Sequence, residues 1–421
     1  MSILDGKKRW TNLAAWKIAL LLSFVLLSLA TSVKADKVTD WNAIGAQAVL
    51  TGGNAGAIGT VDMAYMHIAI YDAVNAIEGG YTVFAVSPPN VPPGASAEAA
   101  TVEAAYRILR HLFPAQSAYL DSQYAASLAM IPDGQAKLDG IAVGAEVATL
   151  FLASRVGDGR GANVPYTPGT GPGAWIPTSA APPVAVWLSQ MRPFAIESPT
   201  QFRPEPPPAL DSDEWAADYN EVKRMGALNS SERTLEETTL GRFFLAPGVP
   251  QVAAGLRQLV IERGLRLKDN ARLFAQIYVA QADATIAGWD SKYHYGFWRP
   301  ITAIRAGDTD GNPNTDADPT WTPLATTPNH PEYLSAHLFV DGAYSETLRL
   351  FFGTKEVNVT LSSTTTGTSM MFTNTDDILK AVTDARIFAG FHYRTSCVRG
   401  AVLGKKVAKY VAKNYFQPVG G

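Results

Sequence analysis

At 421 residues the chain is long enough to bury an ample core as one large domain or two ordinary ones. Its composition is that of a globular protein, 47% hydrophobic and 17% charged, and a formal net charge of -3 with an isoelectric point near 6.1 excludes a global basic field aimed at nucleic acid or anionic membrane. Cys397 is the sole cysteine, which excludes an internal disulfide and leaves stability to packing.

The N-terminus reads as a targeting segment. Lys7, Lys8 and Arg9 are basic, Ile18 to Ala30 is an apolar run, and Val33-Lys34-Ala35 ends it with small residues on either side of one lysine. That is the pattern of a secretory signal peptide over residues 1–35, cleaved after Ala35. A membrane anchor needs about 20 apolar residues and this run is shorter. The expectation is export, periplasmic or extracellular, with no stable membrane span after cleavage, and a single helical domain over 36–421.

Apolar residues recur at three- and four-residue spacing over 61–77, 98–112, 135–155, 268–288, 338–352, 378–389 and 401–415, and each stretch is predicted to be a helix. Strict alternation is scarce, and 357–361 is the best strand candidate. The fold class is therefore mainly α, built from packed helical bundles. Between 157 and 210 proline and glycine recur too often for helix, but Trp175, Trp187, Phe194 and Phe202 argue against a disordered linker. An ordered extended segment draped over the bundle is expected there, with an interdomain connector as the alternative. The acidic, Gly-Asn-rich stretch 307–319 lacks the closing glutamate of a calcium loop and reads as a solvated turn. Cys397 is expected to be a buried small residue in a helix.

Three short stretches within 268–415 carry the chemistry. In the first, Lys292 and Arg299 stand seven apart among aromatic residues, with Pro300 predicted at a first helical position. Seven residues are two helical turns, and a loop entering a helix fits as well. Guanidinium grips a tetrahedral oxyanion through paired hydrogen bonds, and lysine adds a point charge. In the second, Ser335 follows the extended backbone imposed by Pro331 and is placed to cap a helix, so that the N–H groups of Ala336 and His337 point along the helix axis at an anion. In the third, Arg386 and His392 would lie about 120° apart on a continuous helix, and they converge only if the helix ends between them. Gly390 supplies that end, and Thr395 or Ser396 is a candidate cap for the next helix. An ordinary imidazole, titrating near ~6.5, suits proton shuttling.

This order, Lys-x6-Arg-Pro, then Ser-x-His after Pro-x-Tyr, then Arg-x5-His, resembles the signature shared by vanadium-dependent haloperoxidases and type 2 phosphatidic acid phosphatases. The context is similar to the haloperoxidase branch: Ala282-Asp283-Ala284 and Trp289 before Lys292, Phe297-Trp298-Arg299-Pro300, His330-Pro331-Glu332-Tyr333, and the early run from Met66 to Asn75. The resemblance extends from about Trp41 to the end. It implies helical bundles of the haloperoxidase type and vanadate as cofactor, with phosphate able to occupy the same site. It implies that Lys292, Arg299, Arg386, Ser335 and the Ala336 N–H cradle the vanadate oxygens, that His392 is the protein ligand to vanadium, and that His337 is the acid/base group. Hydrogen peroxide, halide and an organic acceptor are the implied small-molecule substrates. Trp289 and His330 are halide-pocket candidates, and His330 at its position suggests bromide or iodide rather than chloride.

Two alternatives use the same cradle. One is an acid phosphatase in which His392 attacks phosphorus and His337 protonates the leaving group. The other is a non-catalytic oxyanion-binding relative. Where the family usually has glycine and proline this chain has Ala336 and Leu334, and where it often has aspartate four residues after the last histidine this chain has Ser396. Ser396 is expected to orient His392 without adding charge.

Overall fold

The structure is a computed structural model that describes residues 35–420, and the expected signal peptide, all but its last residue, lies outside the described residues. Asp36–Gly421 packs as one compact unit. Its first helix, α1 (Lys37–Thr51), starts on a reciprocal cap: Asp36 accepts from the Thr39 N–H at 3.0 Å while the Thr39 hydroxyl accepts from the Asp36 N–H at 2.9 Å. Then come α2 (Ala57–Glu78), α3 (Ala97–Leu112), α4 (Ser117–Ala129) and α5 (Gln135–Ser154). From Gly59 to Asn75 every residue of α2 is buried, so this helix is covered on all sides and runs through the core rather than along its surface.

After the irregular segment come α6 (Asp213–Met225), α7 (Leu235–Phe243), α8 (Gly248–Arg263), the long α9 (Leu267–Tyr295) and the short α10 (Pro300–Arg305). The last third holds α11 (Ala336–Phe352), α12 (Thr375–Phe388) and α13 (Arg394–Asn414). Helix α9 is shared: it packs on α2 on one side and on α11 and α13 on the other. The architecture is thus mainly α, two bundles joined along one buried helix. An antiparallel hairpin, β1 (Val359–Ser363) and β2 (Thr368–Phe372), pairs Val359 with Phe372 and Ser363 with Thr368, and lies on α8. Its first strand sits two residues beyond the expected 357–361.

The Pro/Gly-rich stretch 157–210 is ordered, with a single short turn of 3-10 helix at Val186–Gln190 and Trp175 fully buried. A carboxylate on α9 holds it down: Asp283 accepts the backbone N–H groups of Phe194, Ala195 and Ile196 at 2.7, 2.7 and 2.9 Å. Asp72 on α2 does the same for Phe84, Ala85 and Val86 at 2.8 to 2.9 Å. Burial pushes both carboxyls up to about 6. Two residues of the quoted family context therefore tie loops to buried helices. His67, also in that context, lies against Tyr278 with ring centroids 4.8 Å apart, and burial pushes its pKa down to about 3.

The 307–319 turn is tied to itself rather than open to a cation. Buried Asp310 accepts from the Trp215 indole N–H at 2.8 Å and the Thr315 hydroxyl at 2.7 Å. Among the described residues no group of three or more His, Cys, Asp or Glu side chains could hold a metal ion. Cys397 is buried in α13 as expected, its thiol pushed up by burial.

Candidate active site

Two helix ends and one helix start form the site. Lys292 stands in the last turn of α9, which stops at Gly296 in the left-handed conformation, φ 55°. The chain then runs extended to Arg299, and Pro300 opens α10 at its first position. The first motif is therefore a helix end followed by a loop entering a helix. The third motif breaks where expected: α12 ends just after Arg386, and Gly390 takes φ 76°. However, α13 begins at Tyr393 with no side-chain cap, and neither Thr395 nor Ser396 caps it; instead Asp218 of α6 accepts the Thr395 N–H at 3.1 Å. Ser335 holds the N-cap position of α11, yet its hydroxyl makes no capping bond and is buried without a partner. Ala336 is helical, not left-handed, so its methyl is accommodated where the family usually has glycine.

A cavity of about 520 Å³ opens between these ends. His337, Arg386 and His392 line it, as do Ala336, Trp289 and His330. The Trp289 and His330 rings lie 5.3 Å apart. Val184, from the irregular segment, closes part of the rim, and the Trp289 indole donates to its carbonyl at 3.2 Å. Lys292, Arg299 and Ser335 stand behind this lining. Lys292 gives its ammonium donors to the carbonyls of Pro331 (3.0 Å), Glu332 (2.9 Å) and Leu334, and so fixes the turn that leads into α11. Arg299 donates to the carbonyls of His330 at 2.8 Å and Phe391 at 3.0 Å, and its guanidinium also reaches the His330 ring and His392 Nε2, the latter at 3.2 Å. Arg386 donates to the Phe244 carbonyl at 2.8 Å, and its Nε is buried without a partner.

Two carboxylates to which the sequence reading gave no role belong to the site. Glu332, fully buried, places Oε1 2.7 Å from His392 Nδ1. The carboxylate expected four residues after His392 is thus supplied from the second motif, and the Ser396 hydroxyl lies beside that carboxylate without an aligned hydrogen bond of its own. Asp341 follows His337 by one helical turn and lines the cavity. The i,i+4 spacing on an expected helix was the available signal for Asp341. For Glu332, which pairs across 60 positions, no local signal existed.

Burial dominates the electrostatics. The pKa values of His330, His337 and His392 are all held well below the ordinary imidazole range, first by desolvation and then by Arg299, Lys292 and Arg386. The ordinary value assumed from sequence therefore does not apply, and burial favours the neutral form of all three rings. Burial also lowers the guanidiniums of Arg299 and Arg386 to about 10, leaving them charged, and raises Glu332 and Asp341 to about 7. Fixed cations thus face carboxylates whose ionisation is disfavoured. That surplus, the unpartnered Arg386 Nε, and the first-turn N–H groups of α11, which have no intrahelical partner, suit a tetrahedral oxyanion such as vanadate or phosphate.

Comparison with known proteins agrees with the geometry. Residues 272–421 match the family described as the VCPO second helical-bundle domain. Over 192 residues the chain is 28% identical to the vanadium chloroperoxidase of Curvularia inaequalis, a match that covers 38% of this chain and 31% of that protein's length. The crystal structure of a bacterial vanadium-dependent iodoperoxidase superposes with a TM-score of 0.75 at 21% identity, covering 91% of this chain and 96% of the other. An apo-type bacterial vanadium-dependent chloroperoxidase gives 0.69 at 14%, covering 85% and 92%. The fold is that of the vanadium haloperoxidases, and the resemblance carried by the three motifs is upheld.

Proposed function

We propose that this chain is an exported vanadate-dependent haloperoxidase that oxidises halide with hydrogen peroxide to hypohalous acid, favouring bromide and iodide. The observation that carries this reading is the convergence of Arg386, His337 and His392 on one cavity backed by further buried cations. Bound vanadate supplies a Lewis acid that activates peroxide toward halide. Arg386 and the α11 N–H groups, with Arg299 and Ser335 behind the cavity lining, would hold the oxyanion, and Lys292 fixes the 331–334 turn. His392 would supply the nitrogen ligand, through Nε2. His337, neutral in the anion-free site, is placed to take and return a proton.

Trp289 and His330 form the wall that halide meets. His330 is engaged with Arg299 and adds a polar edge to that wall, which favours the more easily oxidised halides. Replacing it in the His330→Phe variant is expected to raise chloride turnover relative to bromide, and an unchanged ratio at mildly acidic pH would remove His330 from this role.

The test is apo-protein reconstituted with vanadate or with phosphate, assayed in parallel for monochlorodimedone bromination and p-nitrophenyl phosphate hydrolysis. Bromination that requires vanadate supports the proposal. Hydrolysis without bromination would make the chain a phosphatase. Export is tested by N-terminal sequencing of secreted protein, expected to begin at Asp36.

A further inference from the structure

We infer that Glu332 is a positioning residue for His392, and that it makes this site favour oxyanions that accept a nitrogen ligand over those that do not. The inference rests on the vanadate reading above. The two ring nitrogens of His392 face groups of opposite character. Nε2 lies 3.2 Å from a nitrogen of Arg299, a group that can only donate. Nδ1 lies 2.7 Å from Oε1 of Glu332. One tautomer satisfies both contacts: hydrogen on Nδ1, donated to Glu332, and a lone pair on Nε2. The Arg299 contact and the Glu332 contact are separate observations and agree.

Glu332 is itself held in place. It has no exposed surface, its backbone carbonyl receives Lys292, and Oε1 also accepts the Tyr393 N–H at 3.2 Å. The second motif, which starts the helix carrying His337, thereby sets the ring of the third. A carboxylate partner on the far nitrogen raises the donor strength of an imidazole, and loss of such a partner typically costs about 10–100-fold in metal affinity or activity. It gives no help to an anion held only by hydrogen bonds and charge. On such an anion the buried negative charge acts with the opposite sign, by repulsion.

Orthovanadate and sulfate separate these effects, because both are tetrahedral oxyanions and only vanadate takes up a nitrogen ligand. Binding of each to metal-free protein is measured by calorimetry for wild type, Glu332→Gln and Glu332→Asp. Vanadate affinity is expected to fall by about 10–100-fold in Glu332→Gln, with sulfate affinity unchanged or higher, and to recover in part in Glu332→Asp. Equal vanadate affinity in wild type and Glu332→Gln overturns the inference, and so does a matching loss for both anions, which marks a merely structural residue. Wild type that binds sulfate but no vanadate overturns the underlying functional reading and this inference with it. If the variants fail to fold, the nitrogen-15 shifts of His392 in the wild-type apo-protein decide: hydrogen on Nδ1 is required, and hydrogen on Nε2 overturns the inference.

Discussion

His337 and His392 face the same cavity from different elements, and their surroundings assign them different tasks. His392 is fixed on both ring nitrogens, by Glu332 and Arg299, whereas His337 stands in the first turn of α11 with part of its surface toward the cavity. A ligand has to be held still, and a proton carrier has to be reachable. The His392→Ala variant is therefore expected to lose vanadate on gel filtration, while His337→Ala retains it and loses turnover. Equal loss of metal from both would count against separate roles. Ser396 offers a sharper contrast between sequence and structure. From the family pattern an aspartate there would raise vanadate affinity, but Glu332 already occupies the far side of His392 and Ser396 is 1% exposed. A second carboxylate beside a buried one adds repulsion and desolvation. Ser396→Asp is thus expected to lower the unfolding midpoint and leave vanadate binding no tighter. A tighter titration by the variant would show that Glu332 does not supply the charge.

Helices α11 and α13 bring the second and third motifs together, and they do so by close backbone approach. A methyl at Gly404 would collide with the Phe339 carbonyl, and one at Gly342 would sit 2.6 Å from the Ala401 carbonyl. These obstacles are backbone, which cannot turn aside as a side chain can. Gly404→Ala is expected to cost at least the ~1–3 kcal/mol typical of overpacking, read as a lower urea midpoint at unchanged slope. A variant as stable as wild type would mean that the two helices slide apart cheaply. This scale also shows what sequence patterning reached. The helices with a continuous apolar rhythm, α2, α3, α5, α9, α11, α12 and α13, were legible to within a few residues except at the end of α9 and the start of α13, each seven residues short. The others were not. In α6, DEWAADYNEVKRM, charged residues crowd the apolar positions, and α7, LEETTLGRF, is short and buries only Gly241 and Phe243. Strand β2, TSMMF, exposes Met371 and buries only Phe372, so no alternation marks it.

Over the whole molecule the three motifs lay open to reading because each is a local run with fixed spacing, while Glu332 and the Asp283 grip pair residues 60 to 89 positions apart and declare themselves only once folded. The same folding sets the protonation of the site, which yields a prediction about the stability of the entire chain. Without an anion, the three cavity histidines are neutral because burial, and then the nearby cations, depress their pKa values. A bound anion offsets those cations and raises the histidine pKa values, and it raises that of Asp341, about 7 without an anion, as well. Every affected group therefore has a higher pKa in the bound state, so binding takes up protons and tightens as pH falls. Sulfate keeps its charge over this range, so only the protein's protons contribute. Binding to the folded state stabilises it by about 2.7 kcal/mol at a hundredfold excess over Kd. At a fixed low sulfate concentration, the gain in unfolding midpoint over sulfate-free protein is expected to be larger at about pH 6 than at about pH 8, on either side of the Asp341 value of about 7 and above the depressed histidine values that the anion raises. In a His337→Ala, His392→Ala double variant part of that pH dependence should disappear while some stabilisation by sulfate remains. A gain that is equal at both values, or larger at the higher one, would show that the anion does not sit among these histidines.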